Sequence, residues 1–386
     1  MARILNVVVF AMLLASVLSA CGGAQSTQPQ ATQAPGTSAE KPAQGADAAW
    51  NATVAAAQKE GQLMLYSTPS VDVMKALADG FKQKYGIQVE YFVGRGEELA
   101  KRMQAEQGAG LFNADVVISG GTTGLVTMKP AGLLAQLDPL VVLPEVRDPK
   151  AWRQGSLPFV DKEGYHLAMI AAAQRYILIN TDIVKPGEIK SFKDLLDPKW
   201  KGKITSNDPT IAGTGSAMYT FLGYNVWNIE QTRDYMKALV PQEPAFTRDT
   251  RLQVEWVAKG KYPVGMATLI EQTAEFVKLG APISTIKVSE GVKVGSGAGG
   301  LQIPKKQAHP NATKVFVNWI LTKEGAAVFV KAFGNPGARV DTSTEGISPL
   351  FIPAPDEKIY PDTEETTLAR DVMMGHAKEI FGSLLK

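Results

Sequence analysis

The sequence holds one cysteine, Cys21, in 386 residues. That excludes an intramolecular disulfide, a CxxC redox pair and a cysteine-built zinc site. It holds three histidines, His166, His309 and His376, far apart in the chain. Little is left for a histidine-based metal site or a histidine-centred catalytic machine. Charge of one sign is also missing: 40 basic residues stand against 38 acidic ones, a formal net charge of +2. No global field therefore argues for nucleic acid. Long apolar runs are absent beyond the N-terminus, so no other segment spans a membrane. What remains is a 45% hydrophobic, 20% charged chain, long enough for one large or two ordinary cores.

The N-terminus reads as an export signal. Arg3 and the terminal amine precede an apolar stretch from Ile4 to Leu18, and small residues follow at Ser19 and Ala20. This stretch is shorter than the ~20 residues a spanning helix needs. The run Leu18-Ser19-Ala20-Cys21 resembles the lipobox of bacterial lipoproteins, which implies cleavage after residue 20 and lipidation of Cys21. Such a protein sits outside the cytoplasm, held to the membrane by acyl chains. Residues 21–47 contain no aromatic residue and no Val, Ile, Leu or Met. They cannot bury enough apolar area to offset ordering entropy, and read as a flexible linker. The globular body is expected from Ala48.

The body alternates strands and helices. Helix patterns at Trp50–Lys59, Val71–Tyr85 and Gly96–Gln107 separate short apolar strands at Gln62–Tyr66, Gln88–Phe92 and Asp115–Ile118. This order implies parallel strands with helical crossovers. A long apolar segment, Tyr165–Asn180, reads as strands leaving a first lobe. A second α/β unit follows, with strands at Lys203–Thr205 and Tyr262–Ala267. Ile283–Ile303 is β-rich, and Thr366–Leu385 reads as one amphipathic helix. The expected lobes are 48–168 with 283–386, and 169–282. No internal repeat is visible.

Three loops follow strands and precede helices: Ser67–Ser70, Ser119–Thr123 and Thr210–Ser216. Each is rich in Gly, Ser or Thr. Ligands in open α/β sheets sit beyond the carboxyl ends of strands, where backbone N–H groups point at anions. Plain helix capping explains one such loop equally well; three in two lobes point to a binding cleft.

The stretch from Asp194 to Ile204, DLLDPKWKGKI, strongly resembles a signature of extracellular solute-binding proteins of ATP-driven importers, in the ferric-iron, phosphonate and thiamine branch. Ala57–Gly61, Asp115–Val117, Gly260–Gly265 and Asn318–Gly325 agree with the family in collinear order. The resemblance covers about Ala48 to Lys386. It implies an α/β, two-lobed, periplasmic-binding-protein-like fold of type 2, with a hinge of crossover strands. The implied activity is capture of a small solute and its delivery to a membrane permease, by a monomer without a cofactor and without catalysis. By match to the family's loops, Ser67, Thr68, Ser119, Gly120 and Thr122 would line the first lobe. Gly213, Thr214, Gly215 and Ser216 would line the second. Arg175 and Tyr176 lie near the inferred crossover and would face the cleft, unless Arg175 forms a salt bridge between the lobes. Arg248, Arg251, Glu271 and Arg339 are weaker candidates. The signature turn Asp197–Trp200 itself reads as structural, with Trp200 buried.

Iron-binding members of the branch use an adjacent Tyr-Tyr pair, because hard ferric iron wants phenolate and carboxylate oxygens. This sequence has no such pair; Tyr219 and Tyr224 are five residues apart. The donor-rich loops favour an anionic organic solute, such as a phosphonate, phosphate ester or carboxylate, over iron. The rivals are a ligand-sensing subunit built on the same body and an envelope hydrolase. Ser284-Thr285-Ile286-Lys287 matches S-x-x-K, and Gly295–Gly300 matches G-x-G-x-x-G, but both fall where strands are expected rather than helices.

Overall fold

A computed structural model describes residues 43–385 except residue 186. The signal segment 1–20, Cys21 and most of the expected linker lie outside the described residues. The first helix, Ala43–Glu60, begins before the expected start at Ala48. Alanine supplies the reason: residues 43–49 are Ala-rich and favour helix. Among the described residues no helix is long and apolar enough to cross a membrane.

Among the described residues, two large hydrophobic cores stand out beside two smaller ones around Tyr66 and Leu178. Leu63, Phe81, Ile118, Leu301, Phe316 and Trp319 belong to the first. Phe192, Trp200, Tyr219, Phe221, Val264 and Phe381 belong to the second. In the first sheet the strands run in the order Gln88–Val93, Gln62–Ser67, Val116–Ser119, Gly300–Pro304, Leu134–Ala135. The first three are parallel, and Gly300–Pro304 is antiparallel to its neighbour. In the second sheet the order is Ala245–Thr247, Ile204–Asn207, Val264–Met266, Ile177–Asn180, Ile283–Thr285. Again the first three are parallel and the fourth antiparallel. Both lobes thus share one topology, and in each the antiparallel strand is the one that arrives from the other lobe.

Two crossovers join them. The outgoing segment contributes Leu167–Ala168 to the first sheet, Ala172–Gln174 to a small middle sheet, and Ile177–Asn180 to the second sheet. The returning segment does the same in reverse, through Ile283–Thr285, Val292–Gly295 and Gly300–Pro304. Ala172–Gln174 and Val292–Gly295 pair antiparallel, and Ile359–Pro361 adds a third strand. This three-stranded sheet is the hinge.

The chain from 283 onward does not simply return to the first lobe, as its sequence suggested. Ile283–Thr285 pairs within the second sheet. The expected terminal helix is two helices, Glu364–Leu368 and Arg370–Phe381, parted at Ala369. Met373, Ala377 and Phe381 of the latter bury their side chains in the second core. The amphipathic stripe was legible, but not which of two apolar surfaces it would cover. Trp200 is buried, and Asp197 caps its turn by accepting from the Lys199 backbone N–H at 2.9 Å, a structural role.

Candidate functional site

A cleft of about 470 Å³ opens between the lobes over the hinge sheet. Its first-lobe wall is the turn after Val116–Ser119, where Gly120, Gly121, Thr122 and Thr123 line it. Gly120 makes a close approach: a Cβ there would lie 3.0 Å from the Gly297 carbonyl oxygen, a tight contact. Ser119 does not face the cleft. It is fully buried, and its Oγ donates to Gln302 Oε1 at 2.9 Å. Gln302 Nε2 donates to the Ser119 carbonyl at 3.0 Å and lies 2.6 Å from His166 Nδ1. With Gln302 as the donor, His166 Nδ1 accepts and its ring proton sits on Nε2, which has no partner. Burial holds the His166 imidazole down at about 4, so it is neutral. This buried trio braces the first-lobe turn from beneath. Ser67 is buried as well, its Oγ donating to the Pro69 carbonyl at 3.3 Å. The Thr68 backbone N–H donates to the Ile118 carbonyl, and its Oγ1 is buried without a partner. Neither residue lines the cleft.

The second-lobe wall is the start of the helix Thr214–Phe221. Gly213 and Thr214 line the cleft, and the Thr214 Oγ1 has no partner. Gly215 and Ser216 stand behind them. The Gly215 N–H donates to Asn207 Oδ1 at 3.3 Å, and Ser216 Oγ accepts from the Gly213 N–H at 3.1 Å. A Cβ on Gly215 would meet the Asn207 carbonyl oxygen at 2.5 Å, so the helix can sit this close to its strand only with glycine. Asp208 Oδ1 accepts from the Thr210 N–H and hydroxyl, and its Oδ2 accepts from Arg248 Nε at 2.9 Å. Those bonds hold its carboxyl below the usual range against the effect of burial.

The hinge forms the floor. Tyr176 and Gln174 line it, as do Lys293 and Asp362, which pair at 2.7 Å. Burial works against the Lys293 charge, but Asp362 outweighs it and the ammonium is held above its ordinary range. Glu271, at the start of the helix Ile270–Lys278, is reached by solvent yet crowded by the walls. Desolvation raises its carboxyl. Arg370 completes the lining from the first turn of the last helix. Its Nε is buried without a hydrogen-bond partner, and it makes no ion pair among the described residues.

Of the residues expected from sequence, Gly120, Thr122, Tyr176, Gly213 and Thr214 meet in this cleft, as do the weaker candidates Arg248 and Glu271. Ser119, Gly215 and Ser216 support it from behind, while Ser67 and Thr68 stand outside the lining. Arg175 is turned away. Its guanidinium pairs with Glu357 and donates to the Leu350 and Ile352 carbonyls at 2.9 and 3.0 Å, an internal brace rather than a ligand contact. Arg251 pairs with Glu275 on the surface, and Arg339 is buried in a fork with Asp341. The residues that sequence reasoning missed are Gln174, Asn207, Lys293, Asp362, Thr367 and Arg370. Lys293 alone carried a signal, as a charge between the apolar Val292 and Val294; the others are placed by tertiary packing.

Tyr219 is fully buried in the second core, 5.9 Å centroid to centroid from Phe381, and burial pushes its phenol far up. Tyr224 does not line the cleft. No group of three or more His, Cys, Asp or Glu side chains suited to a metal occurs among the described residues. Ser284 lies in a strand with its Oγ donating to the Thr285 carbonyl, while Lys287 pairs with Asp356 at 2.7 Å. Gly295–Gly300 leads into the strand Gly300–Pro304, not into a helix.

Comparison with known proteins agrees with this architecture. Residues 67–327 match the family model described as bacterial extracellular solute-binding protein. An uncharacterised protein of Haemophilus influenzae is 27% identical over 312 residues, 79% of this chain and 86% of that one. Among solved structures, the periplasmic binding protein AfuA of Actinobacillus pleuropneumoniae, with fructose-6-phosphate bound, superposes with a TM-score of 0.60. It is 22% identical, over 84% of this chain and 99% of that one. A Trichodesmium protein, IdiA or FutA, in complex with iron and citrate, superposes with a TM-score of 0.65. It is 19% identical, over 84% of this chain and 99% of that one.

Proposed function

Because the chain belongs to the family of bacterial extracellular solute-binding proteins, we propose that it is an importer's receptor whose solute is an organic anion. The family comprises non-catalytic, extracytoplasmic transport components that hand solutes to a membrane permease. Our reading adds a lipid anchor on Cys21 and a phosphate ester, phosphonate or carboxylate in the cleft. The observation that carries it is the Arg370 guanidinium, whose Nε is buried beside the cleft with no acceptor. The other cations there are already matched, Lys293 by Asp362 and Arg248 by Asp208. An anion supplies what Arg370 lacks. A planar guanidinium suits bidentate oxyanions, and the unpartnered Thr214 hydroxyl adds a donor at a helix start. Closure of the lobes about the hinge would then seal the anion from water.

Iron is the second reading. It is favoured by the likeness to the structure that holds iron and citrate and by the oxygen donors Tyr176, Glu271 and Asp362 on the lining. A thermal-shift screen separates the two. A ligand at 100 times its Kd stabilises the fold by about 2.7 kcal/mol. Phosphate esters, phosphonates or carboxylates are expected to raise the midpoint, and ferric nitrilotriacetate to leave it unmoved. The opposite pattern refutes the anion.

A further inference from the structure

A second cavity adjoins the cleft. It measures about 230 Å³ and is walled by Phe159, Ile170, Val294, Ala338, Ile359 and Pro361. The polar residues Arg153 and Gln154 stand at its edge and are exposed. Ser296 and Asp362 line both spaces. Their boundary lies at the end of the hinge ladder, where the Asp362 N–H donates to the Val294 carbonyl at 3.0 Å and the Ser296 N–H donates to Asp362 Oδ2 at 3.3 Å, the latter beyond the usual range for such bonds. Asp362 is drawn to the cleft side by Lys293 at 2.7 Å. On that side, Gly295 leaves its carboxylate room; a Cβ would lie 2.5 Å from Oδ2.

The chemistry of the two spaces differs. The cleft mixes charges, hydroxyls and amides with apolar residues such as Ile211 and Leu269, whereas the adjoining cavity is walled mainly by alkyl and aromatic carbon. An apolar void leaves its walls without dispersion partners. A dry apolar cavity of about 150 Å³ already takes up benzene. The hinge strands Val292–Gly295 and Ile359–Pro361 supply part of its wall, so whatever fills it also touches the element about which the lobes move.

We infer that the imported solute is amphiphilic: an anionic head in the cleft with a short alkyl or aryl tail that enters the apolar cavity past Ser296 and Asp362. This rests on the anion reading above and narrows it to organic anions with an apolar substituent. Tail burial of this kind gives about 0.8 kcal/mol per methylene, roughly fourfold in affinity.

The test is calorimetric titration of the full chain with methyl, propyl and hexyl phosphate, and with acetate, butanoate and heptanoate. In at least one series affinity is expected to climb about fourfold per methylene until the cavity is full. Ala168→Phe and Ile359→Phe each place a ring in the cavity from a partly exposed position. Both are expected to abolish the gain while binding of the shortest member stays unchanged, which also reports that the variant is folded. If one variant does not fold, the other decides. Tight but chain-length-independent binding overturns the tail and leaves the anion reading standing. A gain that survives in the folded variants likewise overturns the tail. Failure of every anion in both series overturns the tail and the anion reading together.

Discussion

Replacing Arg370 with methionine should weaken ligand binding and leave the free protein intact. Methionine keeps much of the stem that packs at the start of the helix Arg370–Phe381, and removes the guanidinium. In the free protein that group has a buried Nε with no partner. A buried unsatisfied donor costs about 1–3 kcal/mol, so deleting it is neutral or mildly stabilising. With an anion present the sign reverses. One hydrogen bond to a charged group contributes about 1.5–3 kcal/mol, which converts to a rise in Kd of about 13- to 160-fold. Arg370→Lys keeps the charge but not the fork and should fall between the two. The assay pairs calorimetric titration of the anion with urea unfolding of the free protein. Unchanged affinity in Arg370→Met, or a loss of several kcal/mol in its free-state stability, would refute the reasoning.

Three further outcomes follow from the same geometry. Arg175→Met should cost about 3–5 kcal/mol of stability, because it strands Glu357 in a buried site; urea unfolding reads this, and affinity in the surviving folded fraction should hold. Gly215→Ala should lower both stability and affinity, by about 1–3 kcal/mol for the overpacking against Asn207 and Asp208, as read by thermal unfolding and titration. His166 is neutral when folded at about 4 and gains a proton on unfolding at ~6.5, so stability is complete above pH 6.5 and is lost as pH falls toward 4. That term is about 3 kcal/mol, and His166→Gln should flatten the slope of unfolding free energy between pH 7 and 4.5.

Local chemistry made much of the fold readable. Periodicity placed Val71–Tyr85 and the strands of the first lobe, and helix-start chemistry placed the turns at Gly120 and Gly213. The shared topology of the two sheets was invisible, because strand order is set by pairing between residues far apart in sequence, such as Ile204 with Val264. The Ile283–Ile303 segment was correctly read as β-rich, yet its three strands serve three sheets. The site was half legible. Small and hydroxyl-bearing turns announce themselves by composition, whereas Arg370 lies on an ordinary amphipathic helix, and only the packing of Met373, Ala377 and Phe381 into the second core carries it to the cleft. Ser119 and Arg175 carried the right chemistry for a site but spend it internally, on Gln302 and Glu357.

The most direct measurement is a pair of calorimetric titrations of the wild-type chain, one with the organic anion that gives the largest thermal shift and one with ferric nitrilotriacetate. A single site per chain for the anion, abolished or strongly weakened in Arg370→Met, with no heat from ferric ion, is the expected result. Stoichiometric ferric binding that Arg370→Met leaves untouched, with no anion bound, would contradict it.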